Sequence, residues 1–152
     1  MDKEVEELVA ALDGVKTTVA EMVRQIGDDG IAWSPDVEDT NSAAVLATHM
    51  FGSEAATIHE YIGGVPVNRD RDSEFASPIS TVDALVAMIE RVGEGSRSAL
   101  AAETAESLGR QVRTRDGVVT KSARDSLVGV LMHQAEHVGH MQLAEQFRQA
   151  AK

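Results

Sequence analysis

Apolar residues recur along this chain at three- and four-residue steps. Val5, Leu8, Val9, Leu12, Val15, Val19, Met22, Val23 and Ile26 form one stripe on one long helix. Gly27, Asp28, Asp29 and Gly30 are expected to stop it. A short segment with Trp33, Ser34 and Pro35 follows, Trp33 reading as a core or cap residue. A second helix is predicted from a cap among Thr40, Asn41 and Ser42 to Gly63-Gly64. It carries Val45, Leu46, His49, Gly52, Ser53 and Ala56 on adjoining rows. Residues 63–79 read as a loop, with Pro66, Pro78 and the run Arg69-Asp70-Arg71-Asp72.

A third helix is predicted to start near Ser80 or Thr81, with Asp83 in its first turn, where an anion suits the dipole. Leu85, Met88, Ile89, Val92, Ala99 and Leu100 follow, and Gly109 ends it. Gly93 and Gly95 lie inside this pattern and mark a weak or bent stretch, or close packing. Residues 110–121 are polar, with Asp116-Gly117 as a tight turn. The fourth helix runs from near Ser122 to about Ala150, its apolar members being Leu127, Val130, Leu131, Val138, Met141, Ala144 and Phe147. Strand signal is almost absent. Four amphipathic helices bury their stripes most simply together, so the expected fold is an all-α four-helix bundle. The 63–79 connection exceeds the usual loop length and is expected to cross the bundle between helices two and three or to carry function.

Length and composition narrow the function. The 152 residues are expected to form a single domain, 1–152. With 14 basic against 25 acidic residues the net charge is −11. That balance argues against binding nucleic acid or an anionic membrane surface. No apolar run approaches a bilayer span, and the acidic start MDKEVEELVA lacks the core of a signal peptide. The expected location is the cytoplasm. The chain has no cysteine, which removes disulfides, thiolate metal sites and a cysteine nucleophile together. Any metal site must use His, Asp or Glu.

The five histidines are the informative set: His49, His59, His133, His137 and His140. His133 and His137 are four apart on the fourth helix, so their imidazoles share one face and can chelate one divalent metal. A pair leaves the metal under-coordinated, and His49 on the second helix is the best third ligand. Gly52 and Ser53 near it leave space for an ion or a ligand. His59 lies roughly 80° around the helix from His49 and faces elsewhere. His140 is two turns beyond His133, as a supporting partner or a wall of the pocket. The bland alternatives stand beside these: the pair as a solvated helix face, and His49 as a satisfied core histidine.

His133-Gln134-Ala135-Glu136-His137 also matches the H-x-x-E-H pattern, in which Glu136 would be a general base. Only 15 residues follow His137, too few for that architecture's further ligand, and Glu136 reads equally as an exposed helix acid. Ser53, Ser96 and Ser126 lack an evident base and read as structural. The Arg69–Glu74 run reads as a solvated loop or the rim of a pocket.

Three stretches carry a family resemblance. They are Asn41 through His49 followed by Glu54, the loop Gly63 through Arg71 followed by Glu74 and Phe75, and Leu127 through Met141 with His133, His137 and Gly139. Together they resemble the DinB-like superfamily of metalloenzymes, four-helix bundles with a three-histidine metal site. The resemblance spans essentially the whole chain and implies His49, His133 and His137 as ligands. At His140 this chain departs from the family pattern, where glutamine is usual. The implied metal is a divalent transition ion, zinc or nickel. An open three-histidine site activates a water or a thiol. The resemblance implies relatives that include transferases and isomerases using low-molecular-weight thiols, and the expected function here is thiol transfer or hydrolysis on a small-molecule substrate. Glu54 or Glu136 would orient a ligand or accept a proton. The alternatives are a non-catalytic metal- or small-molecule-binding stress protein, and a bundle whose histidines are vestigial and which simply dimerises. A homodimer fits either.

Overall fold

The computed structural model describes residues 2–76 and 78–151. Its elements are α1 (Lys3–Ile26), α2 (Asp28–Ile31), α3 (Ala43–Glu54) running on as a π-helical segment (Ala55–Ile62), α4 (Arg71–Ala76) and α5 (Val82–Leu100). A 3-10 turn (Ser107–Gly109), the strands β1 (Gln111–Arg113) and β2 (Val119–Ser122), and α6 (Ala123–Ala150) complete it. The protein is an all-α bundle of α1, α3, α5 and α6 with one small hairpin. Among the described residues no helix is long and apolar enough to cross a membrane.

Local chemistry sets the helix ends. Asp2, Ser42, Thr81 and Ser122 each accept a backbone N–H in the first turn of α1, α3, α5 and α6. Gly27, at φ 74°, ends α1 in a conformation that costs other residues strain. The third helix stops at Leu100, nine residues before Gly109. There Thr104 and Ser107 exchange side-chain bonds to each other's backbone N–H, and the Glu103 carboxylate is held by Ser107 and Arg110. These local bonds compete with a continuing helix.

Two expectations about the connections are corrected. Residues 110–121 are not strand-free: β1 and β2 pair antiparallel, with Gly117 at φ 78° in the turn that Asp116-Gly117 announced. Val112 alone of the β1 side chains is buried, so the pattern is too short and polar to read as strand. The 63–79 connection is not all loop, since it contains α4.

Cross-helix bonds fix the directions. Asp13 meets Arg97 while Glu4 meets Arg124, so α1 runs against α5 and alongside α6. Thr48 meets Ile79 and His59 meets Ser96, so α3 and α5 are parallel. Parallel neighbours require the chain to return the length of the bundle. The 63–81 segment does so, as the crossover reading anticipated, and α4 packs on α3 as it passes.

The core is in two parts. Val19, Val23, Met50, Phe51, Leu85, Ile89 and Met141 fill one half. Val5, Leu12, Ile58, Leu100, Leu108 and Leu127 fill the other. Between them lies one buried polar layer with a member from each main helix. Glu54 on α3 accepts from Lys16 on α1 at 2.6 Å, Ser96 on α5 at 2.6 Å and Gln134 on α6 at 2.5 Å. α5 runs unbroken through Gly93 and Gly95. They admit neighbours: a Cβ at Gly93 would press the Lys16 stem, and one at Gly95 would overlap the His59 ring.

Candidate metal centre

His49, His133 and His137 come together, although 84 residues separate His49 from His133 in sequence. α3 and α6 pack antiparallel, and each presents its histidines to the other at mid-length. His133 Nε2 lies 3.1 Å from His49 Nε2 and 2.9 Å from His137 Nε2. One ligand atom from each ring lies within 4.8 Å of the others. Zinc–imidazole bonds of about 2.0–2.1 Å in a tetrahedron put nitrogens about 3.3 Å apart, so this set is able to hold one metal ion.

The protonation pattern agrees. Burial, reinforced by His49, holds His133 below the ordinary imidazole value. Burial, with His133, His49 and His140 adding repulsion, pushes His137 down to about 4. Both rings are therefore neutral at neutral pH and offer lone pairs. His49 Nδ1 lies 2.9 Å from Glu74 Oε2. A carboxylate only accepts, so we assign the proton to Nδ1, which leaves Nε2 bare and aimed at the other two histidines. Arg69 lies 3.4 Å from the same Nδ1, too far to compete, and its guanidinium is engaged by Glu74 at 2.7 and 2.8 Å.

Glu74 is the residue missed by sequence reasoning. It is buried, at 6% exposure, in a run that reads as a solvated loop or the rim of a pocket. The crossover lays α4 on α3 beside His49, which no local pattern announces. Gly52 did carry a signal, read the wrong way. Its missing side chain makes room for the Glu74 carboxylate, not for an ion or ligand, because a Cβ there would overlap Glu74 Oε1. Phe75 follows and packs its ring 4.8 Å from His49, and the Arg71 guanidinium lies 5.2 Å from the Phe75 ring centre.

The remaining candidates separate. His59 faces away from the triad and bonds Val92 O and Ser96 Oγ. Glu54 is in the polar layer, its bonds going to Lys16, Ser96 and Gln134 and to none of the three histidines. Ser96 shares that layer, and Ser126 bonds the Ser122 carbonyl. Glu136 is exposed on α6. His140 Nδ1 lies 3.4 Å from His137 Nδ1, next to the triad and outside it. Phe147, counted with the apolar stripe of α6, is half exposed at 52%.

A family model described as a protein of unknown function, DUF1572, matches residues 2–151. The chain belongs to the DUF1572 family. A crystal structure of a conserved protein from Enterococcus faecalis is similar to this DUF1572 chain, with a TM-score of 0.70 at 14% identity over 95% of each chain. At that identity the likeness concerns the fold alone. No curated protein matches this DUF1572 chain.

Proposed function

We propose that this DUF1572 chain is a divalent-metal-dependent enzyme of the DinB-like kind, with His49, His133 and His137 as ligands of zinc or nickel. The observation that carries the reading is the convergence of three imidazole nitrogens from two helices, with Glu74 holding the His49 proton on the far nitrogen. A closed structural zinc site has four protein ligands, whereas this set offers three. The metal, when bound, lowers the pKa of a coordinated water or thiol and so supplies a nucleophile.

The chain's own residues orient the ligands. Glu74 fixes the His49 tautomer, and Arg69 donates to both Glu74 oxygens, including the one that faces His49. Phe75 packs its ring against that of His49, tilted by 46°. The reaction we favour is thiol transfer or hydrolysis on a small-molecule substrate. The thiol is supplied from outside, since the chain has no cysteine.

The test is elemental analysis of untagged protein beside a His133→Ala/His137→Ala variant. We expect near one equivalent of a transition metal, lost in the variant, and turnover that requires the metal. No metal uptake after adding zinc or nickel would sink the enzyme reading. Stoichiometric metal with no turnover across thiol and hydrolytic substrates would leave a metal-binding bundle without catalysis.

A further inference from the structure

Two cavities flank the triad, and they differ in chemistry. One, of about 230 Å³, reaches His133 and is lined by Ser53, Thr57, Tyr61 and Lys121 among others. The other, of about 320 Å³, reaches His137 between α3, α6 and the segment before α3. Pro35, Leu46, Leu143 and Phe147 supply apolar surface to it, and His137 and His140 supply the polar end. Among the described residues, Asp39 is the one formally charged side chain that lines it, and no lysine or arginine does. Leu143 and Phe147 are 49% and 52% exposed; α6 also exposes Val128 and Met132, but of these four only Leu143 and Phe147 line this cavity. A ligand would cover them.

We infer that the cavity at His137 is the substrate pocket of the metal centre, and that it takes an uncharged or cationic molecule with an apolar body. The inference rests on the metal-site reading above. Its volume suits a body of about one aromatic ring with a short linker. Leu46, Leu143 and Phe147 hold that body, while the end carrying a lone-pair donor points toward His137 and the metal beside it. An anionic body is disfavoured, because it would meet Asp39 with no cation opposite. His140, next to His137, is the group at the polar end available to hydrogen-bond the donor end of the molecule.

The experiment uses the full chain loaded with cobalt(II), whose absorption reports ligation. The probes are phenylmethanethiol and mercaptoacetate, which share a thiol and differ in body and charge. Methyl resonances of Leu46 and Leu143, read in the diamagnetic zinc-loaded chain, report the pocket. We expect both thiols to give a cobalt–sulfur band. Phenylmethanethiol should bind at least about tenfold more tightly and alone shift the Leu46 and Leu143 methyls. A Leu143→Ala/Phe147→Ala variant should lose most of that preference, bind mercaptoacetate as before and keep its cobalt.

Equal affinity for both thiols with silent methyls would overturn the pocket and leave the metal centre standing. A Leu143→Ala/Phe147→Ala variant that keeps the full preference would overturn it as well. Failure to take up cobalt would overturn the metal reading and this proposal with it, whether or not phenylmethanethiol shifts the methyls.

Discussion

Gly52 and Glu74 meet over one small volume, and the site depends on how it is filled. The Glu74 carboxylate occupies it and accepts a hydrogen bond from His49 Nδ1–H. Such outer partners typically contribute 10–100-fold in metal affinity. Glu74→Gln keeps the shape and loses the charge, so zinc affinity is expected to fall by about 10–100-fold with the fold retained. Gly52→Ala should do the same and also cost about 1–3 kcal/mol, because the added Cβ forces Glu74 or the backbone to move. Competition against a fluorescent zinc chelator measures the first effect and urea unfolding the second. Wild-type affinity in Glu74→Gln would show that the carboxylate does not support the ligand. At this scale the histidines were legible, because four-residue spacing on one helix has a direct chemical meaning. Glu74 was not, because its role arises from a contact with a residue 25 positions away.

α1 and α5 were legible as elements because their apolar positions repeat with the helical period, and the helix starts were legible because Ser42, Thr81 and Ser122 are residues that accept a first-turn N–H. The hairpin and α4 were not, being three to six residues long and mostly exposed. Equally hidden was the polar layer that divides the core, since Lys16 and Glu54 look like surface residues in an amphipathic pattern. Lys16 is 6% exposed and Glu54 is 0% exposed. Removing one partner leaves the other charge buried, at a cost of about 3–5 kcal/mol. Glu54→Leu should therefore lower urea stability by about that amount, and Lys16→Met/Glu54→Leu should recover much of it. The metal content of folded Glu54→Leu should equal wild type, because Glu54 bonds none of the three histidines. A stoichiometric metal loss there would return Glu54 to the site. Gly95→Ala tests the same layer from α5. Alanine favours the helix by about 1 kcal/mol, yet its Cβ overlaps the His59 ring, which bonds Ser96 and Val92. Net destabilisation in urea is expected, and a gain would show that the ring swings clear without cost.

In the whole molecule, the crossover and the candidate metal centre are one device. Parallel α3 and α5 oblige the chain to return along the bundle, and the return places α4 against His49. Glu74 ties that segment down by its hydrogen bond to His49, and Arg69 holds Glu74 in turn. An ion that binds the folded triad and not the unfolded chain stabilises the fold by mass action, by about 2.7 kcal/mol at one hundred times Kd. For a chain this long that raises Tm by about 5–10 °C. The gain should also be local. At short labelling times exchange proceeds through local opening, so zinc should slow amide exchange across 69–76 more than across the 3-10 turn at Ser107–Gly109. Both effects should vanish on adding a chelator and be absent from His133→Ala/His137→Ala. A Tm gain that persists in that variant would place the bound ion elsewhere. A gain in Tm with no change across 69–76 would separate the crossover from the site, and Glu74 would then hold α4 on α3 without reporting the metal.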